Sequence, residues 1–300
     1  VNNTIIGHKA ATLLDDGDAN VVIGTGAMDA TTAASRNIAI GRSAMGGGNN
    51  TSGQTIAIGY DALNALTSGG ENLALGYSAM AAMTTGAANI AIGHSTMDAL
   101  NHADADANIA IGNNALGGAG AVALHSCVAI GHNALDASLT ADAIGSVAIG
   151  RAALGANTSG AKNVAIGYEA QMSQTTGNRN TVIGYGAMRA ADGGEDFNTI
   201  IGSEAGYSIN NDASHDNVLI GKNAMQGGTG SVIGNIGIGS GVMNGVVNNN
   251  QTGTVAIGHN SLYALTSGTG NVAIGYHSSK AITVGSSNVA IGNNTLLLEV

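Results

Sequence analysis

The apolar residues of this chain recur in a fixed pattern from one end to the other. A short apolar triplet closed by glycine, of the Ala-Ile-Gly type, occurs seventeen times at spacings of 17, 18 or 19 residues. The closing glycines are Gly7, Gly24, Gly41, Gly59, Gly76, Gly93, Gly112, Gly131, Gly150, Gly167, Gly184, Gly202, Gly221, Gly239, Gly258, Gly275 and Gly292. Because no stretch lacks the repeat, the sequence predicts one continuous repeat domain over residues 1–300.

Alignment of the copies on this glycine predicts the structure of each repeat. The residue before it is Ile in sixteen copies, and the residue three before it is Val, Ile or Leu in fourteen. Such β-branched triplets favour a short strand, and glycine permits the bend that follows. An Ala-Leu or Ala-Met pair often follows three and four positions after glycine, and we expect it to form a second extended segment. The pattern therefore predicts an all-β, parallel β-solenoid of about seventeen coils.

A polar column accompanies the strands, because thirteen copies carry Asn four positions before the glycine. In stacked parallel strands, such residues form ladders in which one side-chain amide bonds the next. The residues that we assign to this structural ladder are Asn37, Asn72, Asn89, Asn108, Asn163, Asn180, Asn271 and Asn288. Cys127 occupies the same column, so we interpret it as a small ladder residue rather than a reactive thiol.

Alternation along the triplet leads to a prediction about assembly. If the first and third residues fill the coil interior, the middle residue faces outward, yet it is Ala in eleven copies and never polar or charged in any copy. A strand that is apolar on both faces is normally covered on both. We therefore expect this alanine column to pack against sister chains, in a parallel homotrimer.

Composition excludes several classes of protein. The chain has 48 Gly, no Pro and 44% hydrophobic residues, while only 9% of residues are charged. Disordered chains are more charged and less hydrophobic, and collagen needs Pro and a three-residue glycine period. A formal net charge of −10 with nine scattered Lys and Arg disfavours nucleic acid as a partner. The apolar runs are too short to predict membrane insertion.

The position after each glycine is the first candidate for binding. Tyr combines an apolar ring with a polar tip, so a row of tyrosines offers an exposed contact stripe for a host-surface receptor or a glycan. An ordinary exposed face is the alternative interpretation. The tyrosines of this stripe are Tyr60, Tyr77, Tyr168, Tyr185 and Tyr276. The longer variable turns are further binding candidates, and they lie at Ala103–Asp106, Gly118–Ser126, Ala190–Phe197 and Val242–Gln251.

The sequence predicts no catalytic residue, cofactor or metal site. Histidines in the column after glycine fall in non-adjacent copies, and the acidic turns lack the regular spacing of calcium repeats. Acidic residues two positions after glycine, such as Glu169 and Glu204, also skip copies. A β-helical glycan lyase or hydrolase and a hexapeptide acyltransferase remain less favoured alternatives, the latter because coils of 17 and 19 residues break a six-residue register.

Two segments, Asn163–Gly167 and Asn271–Gly275, both read Asn-Val-Ala-Ile-Gly and resemble the head repeats of trimeric autotransporter adhesins. Thr-Ser-Gly followed by Asn-Val-Ala-Ile-Gly-Tyr is similar to repeats of bacteriophage tail fibres. The resemblance implies a trimeric left-handed β-roll on a cell or virion surface that serves in attachment. Adhesin head repeats are generally shorter, and no neck, stalk or anchor motif follows here, so fibre and adhesin both stay open.

Both ends of the repeat array look uncapped, because the chain opens within a repeat and finishes soon after Gly292. An exposed ladder end is a template for further strand pairing. The alternative expectation is therefore a subunit of an extracellular filament, joined head to tail.

Overall fold

A computed structural model of the chain describes residues 2–51, 53–140, 144–245 and 249–296. The chain divides into two compact units, residues 1–146 and 147–300. All regular elements among the described residues are β-strands, and each of the seventeen triplets forms one. The prediction of an all-β parallel solenoid is confirmed. No helix in the described ranges could cross a membrane.

The first unit stacks eight three-residue strands in parallel and in register. Its strands are β1 (Thr4–Ile6), β2 (Val21–Ile23), β3 (Ile38–Ile40), β4 (Ile56–Ile58), β5 (Leu73–Leu75), β6 (Ile90–Ile92), β7 (Ile109–Ile111) and β8 (Val128–Ile130). Each strand pairs with the next one along the chain, so that Ala39 lies beside Ala57 and Ile40 beside Ile58. Like residues are thereby stacked on like, as the repeat predicted.

The second unit repeats this arrangement and adds one short strand pair. Its strands are β9 (Val147–Ile149), β10 (Val164–Ile166), β11 (Thr181–Ile183), β12 (Thr199–Ile201), β13 (Val218–Ile220), β14 (Val232–Ile233), β15 (Ile236–Ile238), β16 (Gln251–Thr252), β17 (Val255–Ile257), β18 (Val272–Ile274) and β19 (Val289–Ile291). The small strands β14 and β16 pair with each other. The latter begins at the end of the predicted turn Val242–Gln251, of which residues 246–248 lie outside the described residues.

The prediction of which side of the triplet is buried was wrong. The middle residue is the buried one: Ala57, Ala91 and Ala165 are fully inaccessible, whereas the flanking Ile and Val side chains are partly exposed. The Leu or Met four positions after glycine fills the same interior, as at Leu63. A coil of 17–19 residues is so narrow that its interior accepts one side chain from each strand, mostly Ala but also larger residues such as Ile200, and the two flanking residues point outward.

The Ala-Leu/Met segment is a turn, which corrects the expectation of a second extended piece. In most coils the residues two and four positions after glycine have positive φ, for example 52° at Asp61 and 48° at Leu63. Residues other than glycine rarely adopt this backbone conformation. Here it lets the turn keep its contacts with both neighbours, because Asp61 N–H donates to Arg42 C=O and Leu63 N–H donates to Ala79 C=O, each at 3.0 Å.

The repeat glycine is required by both conformation and close stacking. At Gly167, φ is 140°, and a Cβ there would overlap the backbone carbonyl of Gly184 in the next coil. No other residue tolerates both conditions, because a Cβ disfavours this φ and would hold the two coils apart.

The asparagine column forms side-chain ladders inside each unit. Asn89 Oδ1 accepts the backbone N–H of Asn108 at 3.0 Å, and Asn89 Nδ2 donates to Ala105 C=O at 2.7 Å. The ladder residues Asn163, Asn180, Asn198, Asn217 and Asn235 continue this pattern through five successive coils of the second unit. In the first unit Thr55 interrupts the ladder, and its buried hydroxyl has no hydrogen-bond partner.

Candidate ligand-binding groove

The tyrosine stripe forms a flat stack in the first unit. The rings of Tyr60 and Tyr77 are parallel within 6°, with centroids 5.1 Å apart, and His94 continues the stack at 4.9 Å from Tyr77. The guanidinium of Arg42 lies 5.5 Å from the Tyr60 centroid, within the range of a cation–π contact. This surface is a shallow aromatic ladder, because each of these coils contributes one ring from the same position of the repeat.

In the second unit the stripe forms two further stacks. Tyr168 and Tyr185 stack at 5.3 Å, with the guanidinium of Arg151 at 5.3 Å from the Tyr168 centroid. Tyr276 lies 3.8 Å from His277 and 5.5 Å from His259, measured between ring centroids. The structure therefore brings the predicted stripe residues together as short groups of adjacent coils.

The stack of Tyr168 and Tyr185 borders a groove with a volume of about 550 Å³. Its lining residues are Tyr168, Glu169, Tyr185, Arg189, Glu204, Tyr207, Ser208 and Gln226. Sequence reasoning missed Arg189 and Tyr207, which both lie five positions after a repeat glycine. That column is occupied by short side chains in most other copies, so the run of four large residues from Met172 to Gln226 in it was the available signal.

Ion pairs fix the floor of the groove. Glu169 accepts hydrogen bonds from Arg189 Nε at 2.6 Å and from Arg151 Nη1 at 2.9 Å, and Arg189 Nη1 donates to the Tyr207 hydroxyl at 2.7 Å. Partial burial raises the pKa of the Glu169 carboxyl, but hydrogen bonds from Arg189, Tyr168 and Arg151 outweigh it and hold the pKa below its ordinary value. Glu169 is therefore an anion that braces two arginines.

A second, smaller groove lies elsewhere on the second unit, with a volume of about 400 Å³. Its lining residues are Lys222, Asn223, Ser240, Gly241, Asn244, Asn260, Tyr263 and Lys280. It has one aromatic ring, and its charged side chains are two lysines. A polar or anionic ligand suits this surface better than an apolar one.

The predicted binding turns differ in their contents. In Ala103–Asp106, Asp106 uses a carboxylate oxygen to accept the Ala87 N–H at 2.7 Å. The turn Gly118–Ser126 places Leu124 in the core. In Ala190–Phe197, Phe197 is 49% exposed and carries the Arg179 guanidinium at 5.2 Å from its ring centroid. Only the last of these turns presents an exposed aromatic ring.

Two carboxylates of the turn Ala190–Phe197, those of Asp192 and Glu195, form a group of three with Asp212. Ligand atoms of Asp192, Glu195 and Asp212 lie within 4.8 Å of one another, and Glu195 is fully buried while the other two are exposed. Burial raises the pKa of the Glu195 carboxyl, backbone N–H groups oppose the rise, and the charge of Asp212 adds to it. Position alone could not reveal the group, because Asp212 comes from the next coil.

Cys127 lies in the asparagine column with a fully buried side chain. Burial raises the pKa of its thiol, and hydrogen bonds from the backbone at Ser146 and Gly145 oppose this effect. A buried thiol with a raised pKa is a poor nucleophile, in keeping with a packing role.

Comparisons of the chain with protein-family models, with curated proteins and with solved structures yielded no match.

Proposed function

We propose that this chain is a structural and adhesive fibre segment, of the kind carried by a phage tail or a bacterial surface, and that the groove around Tyr168 and Tyr185 binds a glycan. The observation that carries the proposal is the groove itself. It joins exposed tyrosine rings to fixed charged and amide groups, on a scaffold whose interior is packed with alanine, leucine and methionine.

The chemistry of the groove suits an oligosaccharide. Sugar rings present C–H faces that pack on aromatic rings, and hydroxyl groups that need donors and acceptors in fixed places. Tyr185 is 57% exposed and offers such a ring, while Gln226 and Ser208 offer amide and hydroxyl groups at the wall. The arginines are already positioned by Glu169, so little side-chain entropy is lost on binding.

The proposed fibre is a homotrimer, held together by the partly exposed aliphatic side chains on the outer face of the strands. Rows such as Val164 and Ile166 repeat every coil. A strand of three residues is about 10 Å long and neighbouring strands lie about 4.8 Å apart, so the stacked strands of each unit present roughly 400 Å² of such surface. Apolar patches of this size on a protein surface are commonly interaction sites. The residue in contact with sister chains is thus the flanking Ile or Val, not the alanine.

Light scattering tests the assembly. We expect a mass near three times 29.2 kDa for the wild-type chain. Ile166→Asp should give a folded chain of lower mass, because a charge in the apolar interface opposes association. Tyr168→Ser is the matched control on the opposite side of Gly167 and should leave the mass unchanged. A wild-type chain that is monomeric would contradict the proposed trimer.

Binding of the groove is tested on an oligosaccharide array, followed by calorimetric titration with the best-bound sugar. Tyr185→Ser should weaken binding about 5- to 12-fold, because it removes an aromatic platform worth about 1–1.5 kcal/mol. Tyr77→Ser, in the flat stack of the first unit, serves as the control and should bind as the wild type does. Binding that is lost equally in both variants, or that survives in Tyr185→Ser, would refute the groove as the site.

Glycan cleavage is a second candidate, favoured by the presence of both Glu169 and Glu204 in the groove. Hydrolysis needs one carboxyl as a protonated acid and another as base or nucleophile. Both oxygens of Glu169 accept hydrogen bonds from arginines and the carboxyl is held ionised, so it is neither a proton donor near neutral pH nor a free base or nucleophile. We therefore favour binding without cleavage. Release of reducing sugar from a bound oligosaccharide, abolished by Glu204→Gln, would reverse this preference.

A further inference from the structure

We propose that Asp192, Glu195 and Asp212 bind a calcium ion that bridges two successive turns of the second unit. The three carboxylates come from adjacent coils, and their ligand atoms lie within 4.8 Å of one another. Calcium takes oxygen ligands at about 2.4 Å, so one ion can contact oxygens up to about 4.8 Å apart. Magnesium, with ligands at about 2.1 Å, reaches a smaller span.

A separate observation points to a ligand at this place. Glu195 is fully buried, yet its Oε1 atom has no hydrogen-bond partner, while Oε2 accepts the Gly193 N–H at 3.3 Å. No Lys, Arg or His forms an ion pair with any of the three carboxylates among the described residues. A buried carboxylate without a partner is strongly unfavourable, and a cation removes that cost.

The backbone holds Glu195 in this position. Its carbonyl oxygen accepts hydrogen bonds from the buried amides of Gln174 at 2.8 Å and Asn180 at 2.7 Å. Two glycines make room for the opposing carboxylate: Gly194 N–H donates to Asp212 Oδ1 at 3.1 Å, and a Cβ at Gly193 would overlap that oxygen. The neighbouring Asp196 is not part of the group, and its Oδ1 accepts the Asn178 N–H.

The site does not depend on the proposed glycan function, but it lies on the same coils. Asp192 follows Arg189 by three residues, and Asp212 follows Tyr207 by five. An ion shared by these two turns would therefore fix the spacing of the coils that carry the groove arginine and tyrosine.

Calorimetric titration of the whole chain with CaCl₂, after removal of metal with EDTA, tests the proposal. We expect one saturable site per chain with Kd near 10⁻⁴–10⁻³ M, the range of exposed extracellular calcium modules. Glu195→Gln should weaken binding at least ~10-fold. It keeps the shape of the side chain, and it should unfold in EDTA at or above the wild-type temperature, because it removes a buried charge.

Asp212→Asn is the second variant, and its exposed position makes misfolding no explanation for a loss of binding. Asp16→Asn, in the exposed acidic turn of the first unit, is the matched control and should bind calcium as the wild type does. Absence of saturable binding in the wild type, unchanged binding in Glu195→Gln and Asp212→Asn, or loss in Asp16→Asn would each overturn the site.

Discussion

The turns of the two units begin from the same repeat and present different surfaces. In the first unit, Tyr60, Tyr77 and His94 stack flat, and the column five positions after glycine adds only Asn64 and Ala81 beside the two tyrosines. In the second unit, Arg189 occupies that column in the coil of Tyr185.

The larger side chains in the second unit stand beside the tyrosine stack and enclose a groove. The repeat therefore supplies a regular ladder of rings, and a few large residues in an otherwise short column turn one part of it into a concave site. The proposed binding site thus depends on departures from the repeat rather than on the repeat itself.

The largest expected effect tests whether both surfaces rest on the same scaffold. Ala91→Asp in the first unit and Ala165→Asp in the second place a carboxylate where no side-chain surface is accessible. Each should cost about 3–5 kcal/mol of unfolding free energy, because the charge is buried without a partner. Urea unfolding followed by circular dichroism measures both. If either variant folded normally and merely changed its oligomeric mass, the burial assigned to the middle of the triplet would be incorrect.

The next effect concerns the asparagine ladders, which run through five successive coils of the second unit and are interrupted at Thr55 in the first unit and at Thr254 in the second. Asn180→Ala should cost about 1–3 kcal/mol, because the Asn198 N–H loses its partner and the Glu195 carbonyl loses one of its two donors. Thr55→Asn should instead raise stability, since it fills the interruption where a buried hydroxyl is unpaired. A lower unfolding free energy in Asn180→Ala and a higher one in Thr55→Asn would support the role of the ladders, whereas two neutral variants would mean that the ladders contribute little.

A smaller effect is expected on ligand binding. Arg189→Ala should weaken oligosaccharide binding by about 10-fold, or ~1.4 kcal/mol, because it removes the guanidinium that joins Glu169 and Tyr207 in the groove. Arg42→Ala removes a guanidinium from a tyrosine in the first unit and should leave binding unchanged. Calorimetry with the array-selected sugar distinguishes them. Similar losses in both variants would indicate a general charge effect instead of a groove.

The smallest effects are expected in the pH dependence of stability, where Asp136 in the first unit and Glu169 in the second should act in opposite directions. Burial and the charge of Asp98 raise the pKa of Asp136 in the first unit, with weaker opposition from backbone N–H groups and His132. Stability should therefore increase as pH falls through that raised pKa. Asp136→Asn should be more stable than the wild type at neutral pH, and the difference should vanish in acid.

Glu169 in the second unit has a lowered pKa, so its contribution is present above the pKa of the unfolded chain and is lost as pH falls through the folded value. Glu169→Gln should be less stable at neutral pH and equal to the wild type in acid. Urea midpoints between pH 3 and pH 7 measure both variants. If both variants differed from the wild type in the same direction at neutral pH, one of the two carboxyls would be assigned the wrong environment.

Much of the scaffold was readable from the sequence because it is periodic. The spacing of the glycines predicted the seventeen triplet strands, though not β14 and β16, and the columns predicted which residues stack, from Ala39 beside Ala57 to the asparagine ladders. Because the pattern is read from seventeen aligned copies, a departure in any one copy has little effect on the prediction. The prediction failed at the orientation of the triplet, where alternation alone allows two answers and both columns are apolar.

The sequence by itself determined that this protein is an all-β stack of parallel coils with a polar ladder and a row of tyrosines, because these properties depend only on residues one period apart. The tertiary structure decided which side of each strand is buried, since the narrow coil takes only the middle side chain of each triplet, mostly alanine, and the two flanking residues point outward. It also decided the groove of Arg189 and Tyr207 and the carboxylate group of Glu195 and Asp212. Those contacts join variable positions in neighbouring coils, and no column of the repeat encodes them.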